Sequence, residues 1–381
     1  MLTLGIWLSG LSLFFLYLIY DGYGRVLQAL RLMLGERQPT PGADTPDVAA
    51  VTVIIPAYNE ERRIRAKLQN VLAQDYPADK LGIIVISDGS TDRTEAIASE
   101  YSARVTLLRT AGRLGKSRAQ NQAVAQARGE VLVLTDMAVV MAPDCVRQLV
   151  TPFANARIGC VTSRVLHTSE DSVTGRDQGR YWGYEYKLRR LESELGILAT
   201  TSGPAMALRR ELWKDLAADF GDDCVLPLDV ILQERRVVQA EDAVAWDEDL
   251  ETAEKEFRAR VRMTVRNWLG IFSRGQLLNP FRYPGCAFAL WLHKILRWLS
   301  PLFVVGLLTG TALIAWGGGS RAPLALAVLF LALGGAGVIG LYRRQRWPLL
   351  ATAGSFLLVN SAFLVGLVRV WRGDTIKIYQ N

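Results

Sequence analysis

The sequence predicts an α/β domain with a Rossmann-like, mostly parallel sheet, flanked by membrane-spanning helices, one N-terminal and about three C-terminal. Between about residues 45 and 280, short β-branched runs alternate with helical stretches. This order gives parallel strands joined by right-handed crossovers. Long uncharged apolar runs lie towards both ends of the chain. About 20 apolar residues are enough for a helix to cross a membrane.

The N-terminal apolar run, residues 2–20, contains no charged residue. It lacks the basic start, the short apolar centre and the small-residue cleavage site of a signal peptide, so we expect it to remain attached. We therefore assign residues 1–22 to a transmembrane helix. Residues 45–280, which are mixed in polarity, are predicted to fold outside the membrane.

Three apolar stretches near the C-terminus each approach the spanning length, at about 298–316, 322–341 and 347–368. We assign residues 298–371 to C-terminal transmembrane helices. The segment before them, 281–297, mixes apolar and aromatic residues with Lys294, which is typical of an amphipathic helix in the membrane interface. The alternative is that this segment begins the next span.

Basic residues beside the apolar runs predict the orientation. Cytoplasmic flanks carry an excess of such residues, and here they are Arg25, Arg31, Arg37, Arg343, Arg344 and Arg346. We therefore expect an integral protein of the bacterial inner membrane with its folded domain in the cytoplasm. Three C-terminal spans would place the basic tail, with Arg369, Arg372 and Lys377, outside. This conflict leaves open that one span is interfacial or re-entrant.

Composition excludes several classes of protein. The net charge is +7, but much of the excess lies beside apolar runs, where anionic lipid attracts it, so no nucleic acid partner is required. The four cysteines form no CxxC pair, and the chain has only two histidines. A zinc site or a disulfide framework is therefore not expected.

Polar residues follow the predicted strands, which are 51–57, 81–87, 104–109 and 131–135. In parallel sheets, ligands bind beyond the carboxyl ends of the strands. Tyr58 and Glu60 follow the first strand, Asp88 follows the second, and Asp136 follows the fourth. These side chains would converge on one crevice, which would suit a sugar nucleotide.

Other polar residues of these turns have simpler explanations. Asp92 precedes a helical run and is explained by an N-cap, and Asn59 and Gly89 by turns. The stretch "TAGRLGKS" lacks the first glycine of a P-loop because Thr110 stands there, and no GxGxxG opens the first helix. Lys116 remains a candidate for a phosphate contact.

Six motifs stand in register between about residues 50 and 270: "VIIPAYNEE", "ISDGSTDRT", "GKSRAQNQAVAQARGEVLVLTD", "SGPAMALRRELW", "DD" and "VRMTVRNW". In this order they resemble the membrane-bound family 2 glycosyltransferases, which include cellulose, hyaluronan and poly-N-acetylglucosamine synthases. The resemblance implies that residues 45–280 form a GT-A domain. It also implies a nucleotide-diphosphate sugar donor, a UDP-sugar first, a divalent cation (Mg²⁺ or Mn²⁺), and inverting transfer in one displacement.

The resemblance implies that eight residues bind the nucleotide sugar: Pro56, Tyr58, Glu60, Asp88, Lys116, Asp136, Gly203 and Arg266. Asp88 would contact the nucleobase, and Asp136 would hold the metal and the diphosphate. Mg²⁺ needs few carboxylates in such a site because phosphate oxygens and water complete its octahedron.

Asp223 would be the catalytic base that takes the proton of the acceptor hydroxyl. Asp222 lies beside it, and a like charge can raise the pKa of one partner if the side chains approach. The alternative is that one of the two caps the helix that follows. We favour Asp223 over Asp222.

The chain departs from the family pattern at two positions. Family members usually place a second acid or an Asn two or three residues after the first, but Ala138 stands here. The ion is then held by Asp136, diphosphate, water and another residue, or metal dependence is weak, or catalysis is lost; we favour the first. Trp268 would contact the acceptor sugar, but it lies one residue too far from Arg266. It is alternatively a packed or interfacial aromatic.

Together these features predict a glycosyltransferase that adds a sugar to a lipid-linked or growing surface glycan, such as an exopolysaccharide, at the cytoplasmic face. Membrane lipids and other polysaccharide-synthesis proteins are the further expected partners, and nucleic acid is not. Two alternatives stay open. A processive polysaccharide synthase is disfavoured because only about four spans are available to build a channel, and a non-catalytic partner of another synthase is suggested by Ala138.

Overall fold

The computed structural model describes residues 1–36, 49–167, 175–247, 252–343, 345 and 348–376. Side chains are described for these residues except 167, 175–182, 348 and 349. Four basic residues used in the predicted orientation lie outside the described residues: Arg37, Arg344, Arg346 and Lys377.

A mixed sheet forms the centre of the folded domain. Among the described residues it has eight strands in the order β3-β2-β1-β4-β7-β6-β8-β5. Their bounds are β1 Val51–Ala57, β2 Leu81–Ser87, β3 Thr106–Arg109, β4 Val131–Thr135, β5 Val140–Met141, β6 Ile158–His167, β7 Ala205–Arg209 and β8 Arg236–Asp247. The four predicted strands are confirmed, although β3 begins two residues later than predicted.

The two halves of the sheet differ in direction. β1 pairs in parallel with β2 and β4, and β2 pairs in parallel with β3, as the alternation of strands and helices predicts. β7 is antiparallel to both β4 and β6, and β5 is antiparallel to β8, while β6 and β8 are parallel. Apolar clusters cover both faces of β1 and β4, which explains their continuous apolar sequences.

Helices cover the sheet and continue into the apolar ends of the chain. Their bounds are α1 Leu2–Tyr17, α2 Tyr23–Leu34, α3 Ile64–Leu72, α4 Thr94–Ser99, α5 Lys116–Gln126, α6 Cys145–Val150, α7 Gly175–Glu194, α8 Asp222–Leu232, α9 Ala253–Ser273, α10 Pro284–Ala289, α11 Leu296–Trp298, α12 Ser300–Trp316, α13 Ala322–Tyr342 and α14 Pro348–Trp371. Short π-helical segments join α1 to α2 and α10 to α11. The four cysteines are free and buried.

The N-terminal helix is longer than the predicted span. Leu2–Leu34 forms a helical stretch of 33 residues, about 50 Å at 1.5 Å per residue, whereas the hydrocarbon core is about 30 Å thick. Its second half packs Tyr23 and Leu27 against Leu188 and Leu191 of α7. The N-terminal candidate span therefore continues directly into a contact with the folded domain.

Two C-terminal helices meet the length and composition of a membrane span, Ala322–Tyr342 and Leu350–Trp371. The remaining predicted C-terminal span, at 298–316, corresponds to α12, which has 17 residues. It meets the criteria for a span only together with Pro284–Trp298, from which it is bent by 58°. The described residues thus contain three candidate spans, or four if the bent pair counts as one. Lys294 and Arg297, on the segment predicted to be interfacial, turn inwards and contact Glu185.

Candidate active site

A cleft opens where the predicted crevice was expected, beyond the carboxyl ends of β1, β2 and β4. Its volume is about 230 Å³, and its lining residues are Pro56, Ala57, Tyr58, Glu60, Asp88, Arg113, Gly115, Lys116, Asp136, Met137 and Ala138. Six of the eight residues expected to bind the nucleotide sugar are in this set. The structure therefore brings these six residues together in one cleft, and their roles stay predictions.

Lys116 connects the cleft to the aspartate pair. Its Nζ lies 2.6 Å from Asp136 Oδ1 and 3.0 Å from Asp222 Oδ2. The backbone N–H of Asp136 donates to the carbonyl of Pro204 at 3.1 Å, which brings the Gly203 turn to the same place. Parts of the chain that lie more than 100 residues apart in sequence, from Lys116 to Asp222, therefore meet around one ammonium group.

Asp88 holds the loop that leads to Lys116. Its Oδ1 accepts a hydrogen bond from Leu114 N at 2.7 Å, and its Oδ2 accepts one from Gly115 N at 2.8 Å. The loop approaches closely, because a Cβ on Gly89, which has φ +74°, would lie 2.9 Å from the carbonyl carbon of Gly112. Asp88 therefore has a structural role that sequence reasoning did not anticipate, while its position in the cleft agrees with the prediction.

The same loop supplies a residue that sequence reasoning missed. The guanidinium carbon of Arg113 lies 3.8 Å from the centroid of the Tyr58 ring. Stacked arginine and tyrosine form a flat, cationic wall at the end of the cleft, suited to a planar aromatic group and to negative charge. No sequence signal distinguishes Arg113 from the other arginines, since the stacking depends on the path of the loop.

Asp222 and Asp223 are the first residues of α8, and the N-cap is Gly221, which has no side chain to form a capping bond. The alternative that either aspartate is the N-cap is therefore wrong. Asp223 is held by its backbone, since Thr201 donates to the Asp223 carbonyl from N at 3.0 Å and from Oγ1 at 2.9 Å. Its carboxylate is left available for chemistry.

The two neighbouring carboxyl groups have opposite pKa shifts. Burial raises the pKa of Asp223, and the negative charge of Asp222 raises it further. Burial would also raise the pKa of Asp222, but the charge of Lys116 and a hydrogen bond from Gln120 Nε2 at 2.8 Å outweigh it and lower that pKa. This division is typical of an acid–base site, with Asp223 as the group that more readily accepts a proton.

Small residues surround the Asp223 carboxylate. A Cβ on Gly203 would lie 3.6 Å from Asp223 Oδ2. A Cβ on Gly221 would lie only 2.8 Å from Asp223 Oδ1 and the same distance from Asn267 Oδ1. Gly203 therefore lies beside Asp223, its expected contact with the donor sugar stays a prediction, and Asn267 is a neighbour that sequence reasoning missed.

Arg266 and Trp268 separate in the structure. Arg266 is 4% exposed, and its Nη2 donates to Ser117 Oγ at 3.2 Å and to the carbonyl of Phe220. It thus lies behind Lys116 and the aspartate pair. Trp268 instead stacks on Phe272 at 4.8 Å and lies 5.9 Å from Trp298. The geometry corresponds to the packed aromatic that the sequence left open as an alternative to acceptor contact.

The cleft offers few groups to a metal ion. Among the residues that the structure describes, no group of three or more His, Cys, Asp or Glu is placed to hold one. The Asp136 side chain is 41% exposed, and Ala138 lines the cleft beside it without a ligand atom. These residues fit an ion held by one carboxylate and completed by phosphate oxygens and water. They do not form a protein cage.

A buried lysine supports the loop that carries Asp136. Lys67 of α3 is 3% exposed, and its Nζ donates to Thr135 Oγ1 at 2.8 Å and to the carbonyl of Val139 at 2.6 Å. It therefore holds the loop on both sides of Asp136. Burial lowers the pKa of Lys67 to about 7, although the charge of Asp136 opposes this effect.

The lowered pKa of Lys67 predicts a pH dependence of stability. An unfolded lysine keeps a pKa of about 10.4, so from about pH 7 to pH 10 the unfolded state binds more protons and the free energy of unfolding rises with pH. We expect the Tm of the wild type to rise, relative to that of Lys67→Met, between pH 7 and 9. Exposed Lys214→Met is the control. Parallel Tm curves for wild type and Lys67→Met would contradict the prediction.

Known proteins resemble this chain both in sequence and in structure. The family described as Glycosyl transferase family 2 matches residues 52–217. An N-acetylglucosaminyltransferase of Sinorhizobium fredii is 27% identical over 73% of this chain and 70% of that protein. A probable glycosyltransferase of Bacillus subtilis, YdaM, is 28% identical over 58% of this chain and 56% of its own length.

A solved structure shares the whole architecture. The mannosyltransferase PcManGT of Pyrobaculum calidifontis, in complex with GDP-Man and Mn²⁺, superposes with a TM-score of 0.73 at 23% identity, covering 98% of this chain and 99% of that one. This likeness shows the fold, which is of the GT-A type with appended apolar helices. The family match shows that residues 52–217 form a glycosyltransferase family 2 domain, and with the relatives named as glycosyltransferases it supports a transferase.

Proposed function

We propose that the protein is an inverting membrane glycosyltransferase, which moves a sugar from a nucleotide-diphosphate sugar to a lipid-linked or growing surface glycan. One observation carries this proposal. Lys116 contacts both Asp136 of the cleft and Asp222 of the aspartate pair, at 2.6 Å and 3.0 Å. The groups that would hold the donor diphosphate and the groups that would activate the acceptor are therefore neighbours.

The cleft residues suit a nucleotide diphosphate. The Tyr58 and Arg113 pair offers a flat face to the base, and Lys116 offers an ammonium group to the phosphates. Asp136 would hold Mg²⁺ or Mn²⁺, whose positive charge neutralises the negative charge that develops on the departing diphosphate. Gly203 adjoins Asp223 and leaves space for the donor sugar.

Asp223 is proposed as the base. Its pKa is raised by burial and by Asp222, so it accepts a proton from the acceptor hydroxyl more readily than an ordinary aspartate does. The acceptor oxygen bonds to the anomeric carbon as the bond from that carbon to the diphosphate breaks, and the proton passes to Asp223. A single displacement of this kind inverts the anomeric centre.

The donor is proposed to be a UDP-sugar. The relatives named N-acetylglucosaminyltransferase make the N-acetylglucosamine donor the first to test. PcManGT, in contrast, was solved with GDP-Man, so a GDP-sugar belongs in the same panel.

The membrane assignments remain part of the proposal: a span at 1–22, the GT-A domain at 45–280 in the cytoplasm, an interfacial segment at 281–297, spans within 298–371, and a place in the bacterial inner membrane. Within the part of the chain that the structure describes, three candidate spans, or four with the bent pair, support membrane attachment. So few helices favour transfer of single sugars over a processive channel in one chain. Membrane lipids and other polysaccharide-synthesis proteins are the proposed further partners.

The purified full-length protein in nanodiscs would test the proposal. Release of UDP, GDP or dTDP from a panel of nucleotide sugars is measured with Mg²⁺, Mn²⁺ or EDTA, and with membrane lipid extract as acceptor. We expect one donor to release its nucleotide in a metal-dependent and lipid-stimulated reaction. If no donor turns over under any of these conditions, the proposed activity is wrong.

A further inference from the structure

A second cavity, distinct from the nucleotide cleft, lies between the folded domain and the apolar helices. Its volume is about 60 Å³, and Asp223 forms part of its wall. At 10–15 Å³ for each water, it has room for roughly four to six water molecules, or for one small polar group. Since Asp223 is the proposed base, this cavity is the place from which an acceptor would approach it.

The wall opposite the domain core is strongly cationic. Glu185 Oε1 contacts Lys294 Nζ at 2.6 Å and Arg189 Nη2 at 3.1 Å, and Glu185 Oε2 contacts Arg297 Nη1 at 2.5 Å. These four residues line the cavity, so three cations share one carboxylate that is 2% exposed. Three cations and one carboxylate leave an excess of positive charge at this wall, which an anionic ligand would offset.

The neighbouring charges do not remove this excess at the cavity surface. His293 lies behind Glu185, with one ring nitrogen 3.0 Å from Glu185 and the other 2.7 Å from Glu192. Arg260, a fourth cation on the wall, pairs at 3.6 Å with Glu256. Among the described residues, the Nε of Arg189 is buried without a hydrogen-bond acceptor. On a cavity wall, such a buried N–H is a donor that the acceptor atom of a ligand could bind.

Another part of the wall is aromatic and belongs to the apolar helices. Trp298 ends the bent segment before α12, and Phe363 lies on α14, a candidate span. One cavity therefore joins a proposed catalytic carboxylate, a cationic wall and an aromatic wall that faces the membrane helices. A ligand that satisfies all three has a hydroxyl, an anionic group and an apolar chain.

We propose that this cavity is the acceptor subsite and that it binds the phosphate of an amphiphilic lipid acceptor, with Arg189 and Lys294 as phosphate ligands. Arginine and lysine are the side chains that bind phosphate through charge-assisted hydrogen bonds. The phosphate would anchor the lipid so that the sugar hydroxyl beyond it meets Asp223. This inference rests on the proposed function and adds to it the chemical class of the acceptor.

Binding of a defined probe to the full-length protein in detergent tests the subsite. Native mass spectrometry with geranyl diphosphate is performed with UDP and Mg²⁺ in excess, so that the nucleotide cleft is filled. We expect Arg189→Gln and Lys294→Gln to weaken binding of geranyl diphosphate at least 10-fold, and Arg189→Lys to restore part of it. Arg190→Gln is the matched control, since Arg190 is the next residue of α7 but is 47% exposed and pairs with Glu194.

Further probes separate the possible sources of the phosphate. Geraniol, which lacks the diphosphate, should not bind, and inorganic pyrophosphate should bind more weakly than geranyl diphosphate. Equal binding of inorganic pyrophosphate would overturn the lipid acceptor. Lysophosphatidylglycerol that binds the wild type but not Arg189→Gln would support the subsite and identify a glycerophospholipid headgroup as the source.

The outcome is independent of the donor site. UDP binding is measured separately with a fluorescent analogue. If UDP fails to bind while geranyl diphosphate still depends on Arg189, the proposed donor cleft is wrong and the lipid-phosphate subsite stands. If geranyl diphosphate binds Arg189→Gln and Lys294→Gln as tightly as the wild type, the subsite is wrong whatever UDP does.

Discussion

Asp223→Asn is expected to reduce kcat by about 10²- to 10⁴-fold, the range usual for removal of a general base. Asparagine keeps the size of the side chain, and the backbone anchor from Thr201 does not depend on the carboxylate. Binding of the nucleotide sugar should therefore remain. The measurement is the rate of nucleotide release at saturating donor, together with the donor affinity of the variant.

Two controls accompany this variant. Asp215→Asn changes an exposed aspartate and should leave kcat unchanged. Asp222→Asn should instead change the pH dependence of the reaction, because Asp222 pairs with Lys116 and raises the pKa of Asp223. A wild-type kcat for Asp223→Asn would show that Asp223 is not the base.

The pH profile gives a second test of the same assignment. The base must be ionised to accept a proton, so activity should fall as the pH drops through the pKa of Asp223, which lies above the ordinary aspartate value. Asp222→Asn removes a nearby negative charge and lowers the pKa of Asp223. The acidic limb of the profile should then move to lower pH. No movement would mean that Asp223 does not control that limb.

The parts of the site that the sequence predicted are those placed by local rules. A carboxylate directly after a buried parallel strand reaches the carboxyl edge of the sheet whatever the rest of the fold is. Asp88 and Asp136 therefore lie in the cleft as expected. Lys116 was singled out differently, by its place in the stretch "TAGRLGKS", and it is the first residue of α5.

The parts that the sequence did not predict depend on contacts distant in sequence. Lys67 resembles any lysine on a helix, and only the fold shows that it supports Thr135 and Val139. Arg113 and Asn267 gain their positions from a loop path and a helix packing that no local pattern encodes. The antiparallel pairing of β7 was missed because α7 and α8 separate β6, β7 and β8 as helices separate parallel strands, so the order of elements alone does not show the direction of β7.

Arg266 and Trp268 belong to one sequence motif, but their side chains point to different parts of the structure. Residues two apart on a helix do not face the same way. Arg266 turns towards Ser117 behind the site, whereas Trp268 packs against Trp298. The extra residue between them in the motif therefore has a structural consequence, since the tryptophan moves away from the aspartate pair and Trp298 lines the cavity instead.

Asp136→Asn is the second variant with a large expected effect. Asp136 presents an exposed carboxylate to the cleft, and Ala138 beside it supplies no ligand. Asparagine is a weaker ligand for Mg²⁺ or Mn²⁺ because it is uncharged. We expect kcat/KM of the metal-dependent reaction to fall about 100-fold, which corresponds to about 2.7 kcal/mol of transition-state stabilisation.

Loss of the carboxylate at Asp136 should not unfold the site, because Lys116 retains its contact with Asp222 at 3.0 Å. Ala138→Asp makes the opposite change and supplies a second acid where relatives of the predicted class carry one. It should lower the Mg²⁺ concentration that gives half-maximal nucleotide release, because a second carboxylate strengthens binding of the ion. If Asp136→Asn keeps wild-type metal dependence and Ala138→Asp leaves it unchanged, the ion is held elsewhere, and Asp136 serves only to position Lys116.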